Sequence, residues 1–489
     1  MIWRSVRENT EAITVAILLA LLIRHFVFES YEIPTGSMAP ALNGLHVTVP
    51  CPNCETENRV GIHSDSLTNN VNMGNRMEIF EGICPNTEKN IKITTQGNNR
   101  FVCPRCGEIH STGEGKLKRA YAISLRAWCR ECTHRFPVVV EKGDILGGNK
   151  ILVDKFGYDW TEPNRWDVVV FRFNRERNYI KRLVGLPGEQ IRVVHGDIWI
   201  DGKIESKPTD VQDRFWIPIH DSAVEESGQV EPAWDASPGW VRNGSGWDFN
   251  LIQGEGTLRY VRGIDNKYNY NSLRGSSAGI NSPVRDLGLS TMVRATPEPG
   301  KSGARLFISV HNSPSEYRWS FPFGTGEAQL ELIRKDAQAV ILATAEGFAL
   351  QPDHQYLIEV QVVDRRVRLI VDGQLLSDIA LPATEMGSGT ATRSRGELAS
   401  SVSIAAKQCG GKIERIKLSR DQHWTLDGIY AISSPYQIEA GRYFVMGDNS
   451  PSSLDSRYWG SFARSNLLGR GFVIFWPALP GRNEIGFIR

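Results

Sequence analysis

The sequence predicts a mainly β protein: an antiparallel β core with one N-terminal membrane helix, interrupted by a small cysteine-rich insert and by a β-sandwich insert. Three observations predict it. A single aliphatic run, Ala12 to Ile23, is hydrophobic enough to consider for a membrane, and three Cys-x-x-Cys pairs fall between residues 48 and 140. Elsewhere short alternating runs are separated by turn residues. The clearest spans Tyr356 to Leu376, where Val367, Leu369 and Val371 alternate with Arg366, Arg368 and Ile370 between the turns Asp364-Arg365 and Asp372-Gly373.

A chain of 489 residues is too long for one core. Its formal charge of +1, with no long basic block, argues against nucleic acid as a partner. With 41 % hydrophobic residues and 24 prolines it is neither disordered nor polytopic.

Arg4 and Arg7 precede the aliphatic run. Ala12 to Ile23 alone would rise about 18 Å as a helix, short of the roughly 30 Å of a bilayer core. Phe26-Val27-Phe28 resumes the run after Arg24 and His25, and Arg24 can snorkel to the interface, so about 17 residues read as one anchor. A buried soluble helix is the alternative; a cleavable signal peptide lacks a small-x-small site close behind it. The arginines favour a cytoplasmic N-terminus.

Pro34-Thr35-Gly36-Ser37-Met38 follows as a short polar turn, within about 30 Å of Phe28 even if fully extended. By itself it is an ordinary turn; as a nucleophile, Ser37 would need a base and oxyanion donors. The insert at residues 48–140 holds Cys51-x-x-Cys54, Cys103-x-x-Cys106, Cys129-x-x-Cys132 and a lone Cys84, with His134 as a nearby further ligand. Such pairs present thiolates to structural zinc. Disulfides are the alternative outside the cytoplasm, and free thiols remain a third reading. The irregular spacing does not say which pairs combine.

Strands resume from Val138 to Asp201, with Asp201-Gly202 as a hairpin turn. Within them, Asn178 to Val184 places Tyr179, Lys181 and Leu183 on one strand face, so that Lys181 lies between two apolar neighbours. Burial there favours the neutral amine, which can act as a base; a lysine stem snorkelling to water is the alternative. After the sandwich insert, Arg442 to Met446 is a strand feeding Gly447-Asp448-Asn449-Ser450-Pro451-Ser452-Ser453-Leu454-Asp455-Ser456-Arg457. That loop supplies hydroxyls together with a carboxylate and a guanidinium two residues apart, able to rigidify a site.

Together the Ser37 turn, Tyr179-Ile180-Lys181-Arg182 with Gly185-Leu186-Pro187-Gly188, and the Gly447 loop resemble the three boxes of the bacterial type I signal peptidases. These are membrane-bound serine-lysine proteases that remove signal peptides from exported proteins. The resemblance implies Ser37 as nucleophile, Lys181 as general base, Thr35 as the oxyanion-hole hydroxyl and Ser453 as the serine that orients the lysine, with Asp455 and Arg457 as support. It also implies preprotein signal peptides as substrates, cut after small residues at the first and third positions, with Ile33 and Met38 lining those pockets. The cell inner membrane is the implied place: single-pass, N-terminus cytoplasmic, catalytic part on the outer face. Catalysis requires no cofactor. Thr35 stands where the family commonly has serine, and Ser450-Pro451 where it has Arg-Asp, which leaves local support of that loop open.

The implied organisation is an anchor (1–30), core segments at 31–47, 141–204 and 426–489, the cysteine insert (48–140) and the sandwich (205–425). The run Val367-x-Leu369-x-Val371-Asp372-Gly373 resembles concanavalin-like or laminin-G-like jelly rolls, which implies a glycan or protein ligand. Trp234, Trp240 and Trp247 are the residue type that stacks on sugars, although burial in the core is their commoner role. Cys409 reads as a lone buried thiol. Two other readings follow from the same residues: a membrane-tethered glycan-binding or scaffold protein with an inactive peptidase core, and a self-cleaving repressor-like Ser-Lys protease.

Overall fold

The computed structural model describes residues 9–18, 27–62, 76–84, 86–87, 90–95, 100–103, 105–111, 118–175, 177–224, 232–251, 254–267, 282–335, 337–382, 400–479 and 482–488. Residues 9–18 are helical and expose Ile13, Val15, Ile17 and Leu18. Among the described residues no helix is long and apolar enough to cross a membrane. Residues 1–8 and 19–26 of the predicted anchor lie outside them.

An eight-stranded antiparallel sheet gathers segments from both ends of the chain. Its order is Phe28–Glu32, Lys150–Asp154, Leu467–Trp476, Val168–Arg172, Asn178–Gly185, Arg442–Met446 and Phe462–Ala463, with Gly486–Phe487 pairing off Leu467–Trp476. Beside it stands a small sheet of Gln190–Val194, Asp197–Ile200, Lys203–Ile204 and Tyr436–Gln437. Asp201 and Gly202, at φ 50° and 76°, turn its hairpin. From Lys181 onward the strand Asn178–Gly185 is buried on both faces, because apolar clusters cover each side: Leu183 packs with Phe171 and Val445, and Val184 with Ile191 and Phe444.

The cysteine insert is built from hairpins. His46–Pro50 pairs with Glu57–Gly61, Arg100–Val102 with Ile109–Ser111, and Lys118–Trp128 with Arg135–Val140, each closing on one Cys-x-x-Cys pair. The strict buried-exposed alternation of Arg135–Val140 places Phe136, Val138 and Val140 in a small core with Val47, Cys51, Cys129 and Cys132.

Two further antiparallel sheets, of eight and seven strands, face each other across one large apolar cluster. Leu289, Ile358, Leu369 and Ile416 come from one sheet, Leu258, Ile308, Trp319 and Ile404 from the other. That shared core makes this part a β-sandwich. Trp234, Trp240 and Trp247 are all buried in it, and Cys409 is a buried free thiol. The predicted turns carry positive φ at Asp364 and Arg365 (47° and 55°) and at Asp372 and Gly373 (48° and 78°). Lys207, fully buried, contacts Asp364 at 2.6 Å and Asp421 at 2.8 Å, and so ties the segment leaving the small sheet to the sandwich.

Candidate active site and cysteine clusters

Gly36–Met38 forms a single 3-10 turn whose Ser37 and Met38 are buried. The segment can approach so closely because Gly44 has no Cβ: one there would overlap the Thr35 backbone. Ile33 and Met38 pack into the core among Leu42, Ile151 and Val170.

Lys181 comes from the interior strand Asn178–Gly185, opposite Val169. It is 5 % exposed, and its Nζ donates to Ser37 Oγ at 2.8 Å and to the Ile180 carbonyl oxygen at 3.0 Å. The Tyr179 ring centre lies 5.5 Å from the amine. Burial pushes the Lys181 pKa from 10.5 down to about 8, against the opposing pull of Asp455 and Asp448. The two carboxylates do not restore the ordinary value because each is matched by its own guanidinium. Arg182 holds Asp448 through two hydrogen bonds of 2.8 and 2.7 Å, and Arg457 holds Asp455 through two of 2.9 Å.

The same ion pairs shape the loop. Asp455 accepts the Gly447 N–H at 3.0 Å, while Arg457 donates to Ser450 Oγ and the Ser450 carbonyl oxygen, each at 2.7 Å, and to the Thr425 carbonyl oxygen at 3.0 Å. Ser450, where loop support was open, is therefore a junction: its Oγ also accepts the Thr425 N–H at 2.8 Å. Asn449 reaches across to the serine turn, its N–H donating to the Ser37 carbonyl oxygen at 3.0 Å and its Nδ2 to that of Gly36 at 2.9 Å.

Thr35 Oγ1 lies 3.4 Å from Ser37 Oγ. Ser453 is buried, yet its Oγ has no hydrogen-bond partner among the described residues and none to Lys181. It packs against Gly447, where a Cβ would overlap it. Asp448, Asn449 and Arg182 lie within the boxes, but nothing in the sequence assigns them a task. Thr425 carried no signal, since it sits at the far end of the sandwich insert.

The cysteines gather into two groups, Cys51, Cys54, Cys129 and Cys132, and Cys84, Cys103, Cys106 and His110, each with ligand atoms within 4.8 Å of one another. Both can hold a structural metal ion. The pairing that the spacing left open is Cys51 and Cys54 with Cys129 and Cys132. Cys84, which lies outside any Cys-x-x-Cys pair, joins Cys103 and Cys106. One expectation is corrected. The histidine is His110 and not His134, which is exposed and stacks on Phe136.

The split antiparallel β core thus holds the Ser37 hydroxyl against a buried amine of lowered pKa. The family described as signal peptidase, peptidase S26, matches residues 6–59, 140–227 and 362–476, more than half of the chain, and the chain belongs to that family. It is similar to the signal peptidase I of Bacillus caldolyticus, 36 % identical over 61 residues, covering 12 % of this chain and 34 % of that protein. It is also similar to the signal peptidase I of Pseudomonas aeruginosa, 30 % identical over 139 residues, covering 25 % of this chain and 43 % of that protein. The match thus spans less than half the length of these relatives. Among solved structures, the carbohydrate binding module CBM66 from Bacillus subtilis is 9 % identical, with 38 % of this chain and 95 % of that one covered at a TM-score of 0.26. The Emp47p carbohydrate recognition domain is 10 % identical, with 42 % and 95 % covered at a TM-score of 0.28.

Proposed function

We propose that this chain is a membrane-bound signal peptidase I that cleaves N-terminal signal peptides from exported preproteins through Ser37 and Lys181. The observation that carries the reading is the 2.8 Å contact between Ser37 Oγ and a Lys181 amine whose burial holds its pKa near 8. At that value a useful fraction of the amine is neutral around neutral pH and accepts the serine proton.

Ser37 Oγ attacks the carbonyl carbon before the scissile bond as Lys181 takes its proton, and the tetrahedral oxyanion is held by the Ser37 N–H and Thr35 Oγ1. Lys181 then gives the proton to the departing amine of the mature protein. A water, deprotonated by the same amine, hydrolyses the acyl-enzyme and restores Ser37. Asp455 and Arg457 hold the loop that faces the serine turn. Ser453 shapes that loop against Gly447.

The run ending at Phe28 anchors the chain in the cell inner membrane, with the N-terminus cytoplasmic and the catalytic part on the outer face. The preferred preproteins have small residues at the first and third positions before the cut. Structural zinc is the state proposed for the cysteine insert.

The test is cleavage of a preprotein by the purified chain in detergent, with the new N-terminus sequenced. Cleavage at the signal-peptide junction, lost in both Ser37→Ala and Lys181→Ala while each variant stays folded, is the expected result. Undiminished turnover in Lys181→Ala would assign the base elsewhere.

A further inference from the structure

The three Cys-x-x-Cys pairs sit at three hairpin tips that fold alike. Cys51, Cys103 and Cys129 each donate a backbone N–H to the carbonyl oxygen five residues on, at 2.9, 2.8 and 2.9 Å. Each accepts at its own carbonyl from the residue after the second cysteine, at 2.9, 2.9 and 3.0 Å. That residue takes positive φ in every tip: Glu55 at 59°, Gly107 at 76° and Thr133 at 58°. For Glu55 and Thr133 this is a strained conformation, held three times over by the same turn. Backbone N–H groups point at sulfur as well, from Asn53 to Cys51 Sγ at 3.4 Å, Arg105 to Cys103 Sγ at 3.5 Å and Cys132 to Cys129 Sγ at 3.5 Å.

The sulfurs within each group stand close together. Cys51 and Cys132 are 3.6 Å apart, Cys54 and Cys129 3.4 Å, Cys84 and Cys103 3.5 Å, and Cys84 and Cys106 3.8 Å. Thiolates at about 2.3 Å from a tetrahedral zinc ion lie about 3.8 Å from one another. A disulfide needs about 2.05 Å. In the second group His110 Nε2 stands 3.1 Å from Cys106 Sγ and completes a three-sulfur, one-nitrogen set.

The two groups differ in what they join. Cys51 comes immediately after the strand His46–Pro50, which follows the Ser37 segment, and Cys129 and Cys132 close the hairpin that leads into the core strand Lys150–Asp154. Between these last two cysteines lies Glu131, 4 % exposed. Its carboxylate accepts the Asp221 N–H at 2.6 Å and lies 2.8 Å from His220 Nδ1, while its carbonyl oxygen accepts from Arg262 Nη1 at 2.6 Å. Trp234 Nε1 donates to His220 Nε2 at 2.9 Å, which holds the ring beside Glu131. His220, Asp221, Trp234 and Arg262 all belong to the sandwich insert. Around the second group, among the described residues, the contacts of Asn86, Arg105 and Glu108 stay within that group's own hairpin and the turn after Cys84.

We propose that Cys51, Cys54, Cys129 and Cys132 hold one zinc ion and Cys84, Cys103, Cys106 and His110 a second, and that the first ion is the joint on which the sandwich docks, through Glu131. The ion fixes the two knuckles against each other and so presents Glu131 to His220, Asp221 and Arg262. The buried Lys207 pairs hold the sandwich at another point, so loss of the joint loosens the contact strand Ile217–Asp221 without releasing the insert.

The experiment measures metal content and amide hydrogen exchange on the purified full chain. It does not depend on peptidase activity. Two zinc ions per chain are expected, falling to one in Cys54→Ser and to one in His110→Ala. Cobalt in the site that remains should show sulfur-only ligation in His110→Ala and mixed sulfur-nitrogen ligation in Cys54→Ser. Exchange within Ile217–Asp221 should quicken about tenfold or more in Cys54→Ser, which releases the knuckle, and about tenfold in Glu131→Gln, where a neutral acceptor replaces a charged one. Glu131→Gln should keep both ions, which separates docking from folding of the knuckle. Disulfides or iron in place of zinc would overturn the ion assignment. Unchanged exchange in both Cys54→Ser and Glu131→Gln would overturn the joint.

Discussion

Asn449 and Ser37 are joined although 412 residues separate them in the chain: the Asn449 N–H donates to the Ser37 carbonyl oxygen at 3.0 Å. The Asn449 side chain adds a second bond, to the Gly36 carbonyl oxygen at 2.9 Å, so the Gly447 loop grips the serine turn by two successive carbonyls. Asn449→Ala removes the second bond and strands a carbonyl, at a cost of about 1–3 kcal/mol. Much of that should fall on alignment of Ser37, so kcat is expected to drop about tenfold or more with KM little changed. Steady-state cleavage of a preprotein measures the split, and an effect confined to KM would show that Asn449 serves binding instead.

Thr35→Val should lower kcat by about 100-fold or more, since an oxyanion donor acts chiefly in the transition state. Thr35→Ser keeps the hydroxyl, which now lies 3.4 Å from Ser37 Oγ, and should retain most of the rate. Equal rates for threonine and valine would leave the oxyanion to backbone N–H groups alone.

Gly447→Ala tests the close approach of the three core segments. The added methyl group would overlap Ser453 Oγ and lie 2.5 Å from the Ser37 carbonyl oxygen, so one of the two must move. Overpacking of this kind costs roughly 1–3 kcal/mol. A lower melting temperature together with a lower kcat is the expected outcome; a variant with both unchanged would mean that the loop adjusts freely.

What the sequence disclosed about this site follows from how each residue is specified. Ser37 and Lys181 sit in short contiguous boxes, and strand alternation alone placed Lys181 between Tyr179 and Leu183. The hairpin turns at Asp201 and Asp372 were legible because their residue types tolerate positive φ. The ligand partners were not legible. Sulfurs at three hairpin tips are paired by the sheet that brings the hairpins together, and sequence order does not encode that choice. His110 lies four residues past the pair Cys103-x-x-Cys106 in a spacing that admits a ligand, but His134 lies closer to its own pair, two residues past Cys132. Thr425 and Ser450 meet Arg457 only because the return from the sandwich passes the loop.

The last prediction concerns protons on Lys181. An unfolded lysine titrates at 10.5 and the buried one at about 8, so between these values the unfolded chain binds more protons than the folded one. Stability should therefore rise with pH across that window, by roughly 3 kcal/mol if this group alone is counted. Below about pH 8 the full cost of burying a charged amine is present. Lys181→Met removes the titration while keeping most of the volume. Unfolding of the two chains in urea, followed as a function of pH, should show the variant more stable at pH 7 and the difference vanishing above the ordinary lysine value. The same titration governs activity, because only the neutral amine takes the Ser37 proton. The acid limb of kcat/KM should then lie near 8. A limb near 6 or 7 that responds to histidine substitution, with no pH-dependent difference between the native chain and Lys181→Met, would remove Lys181 from the role of base.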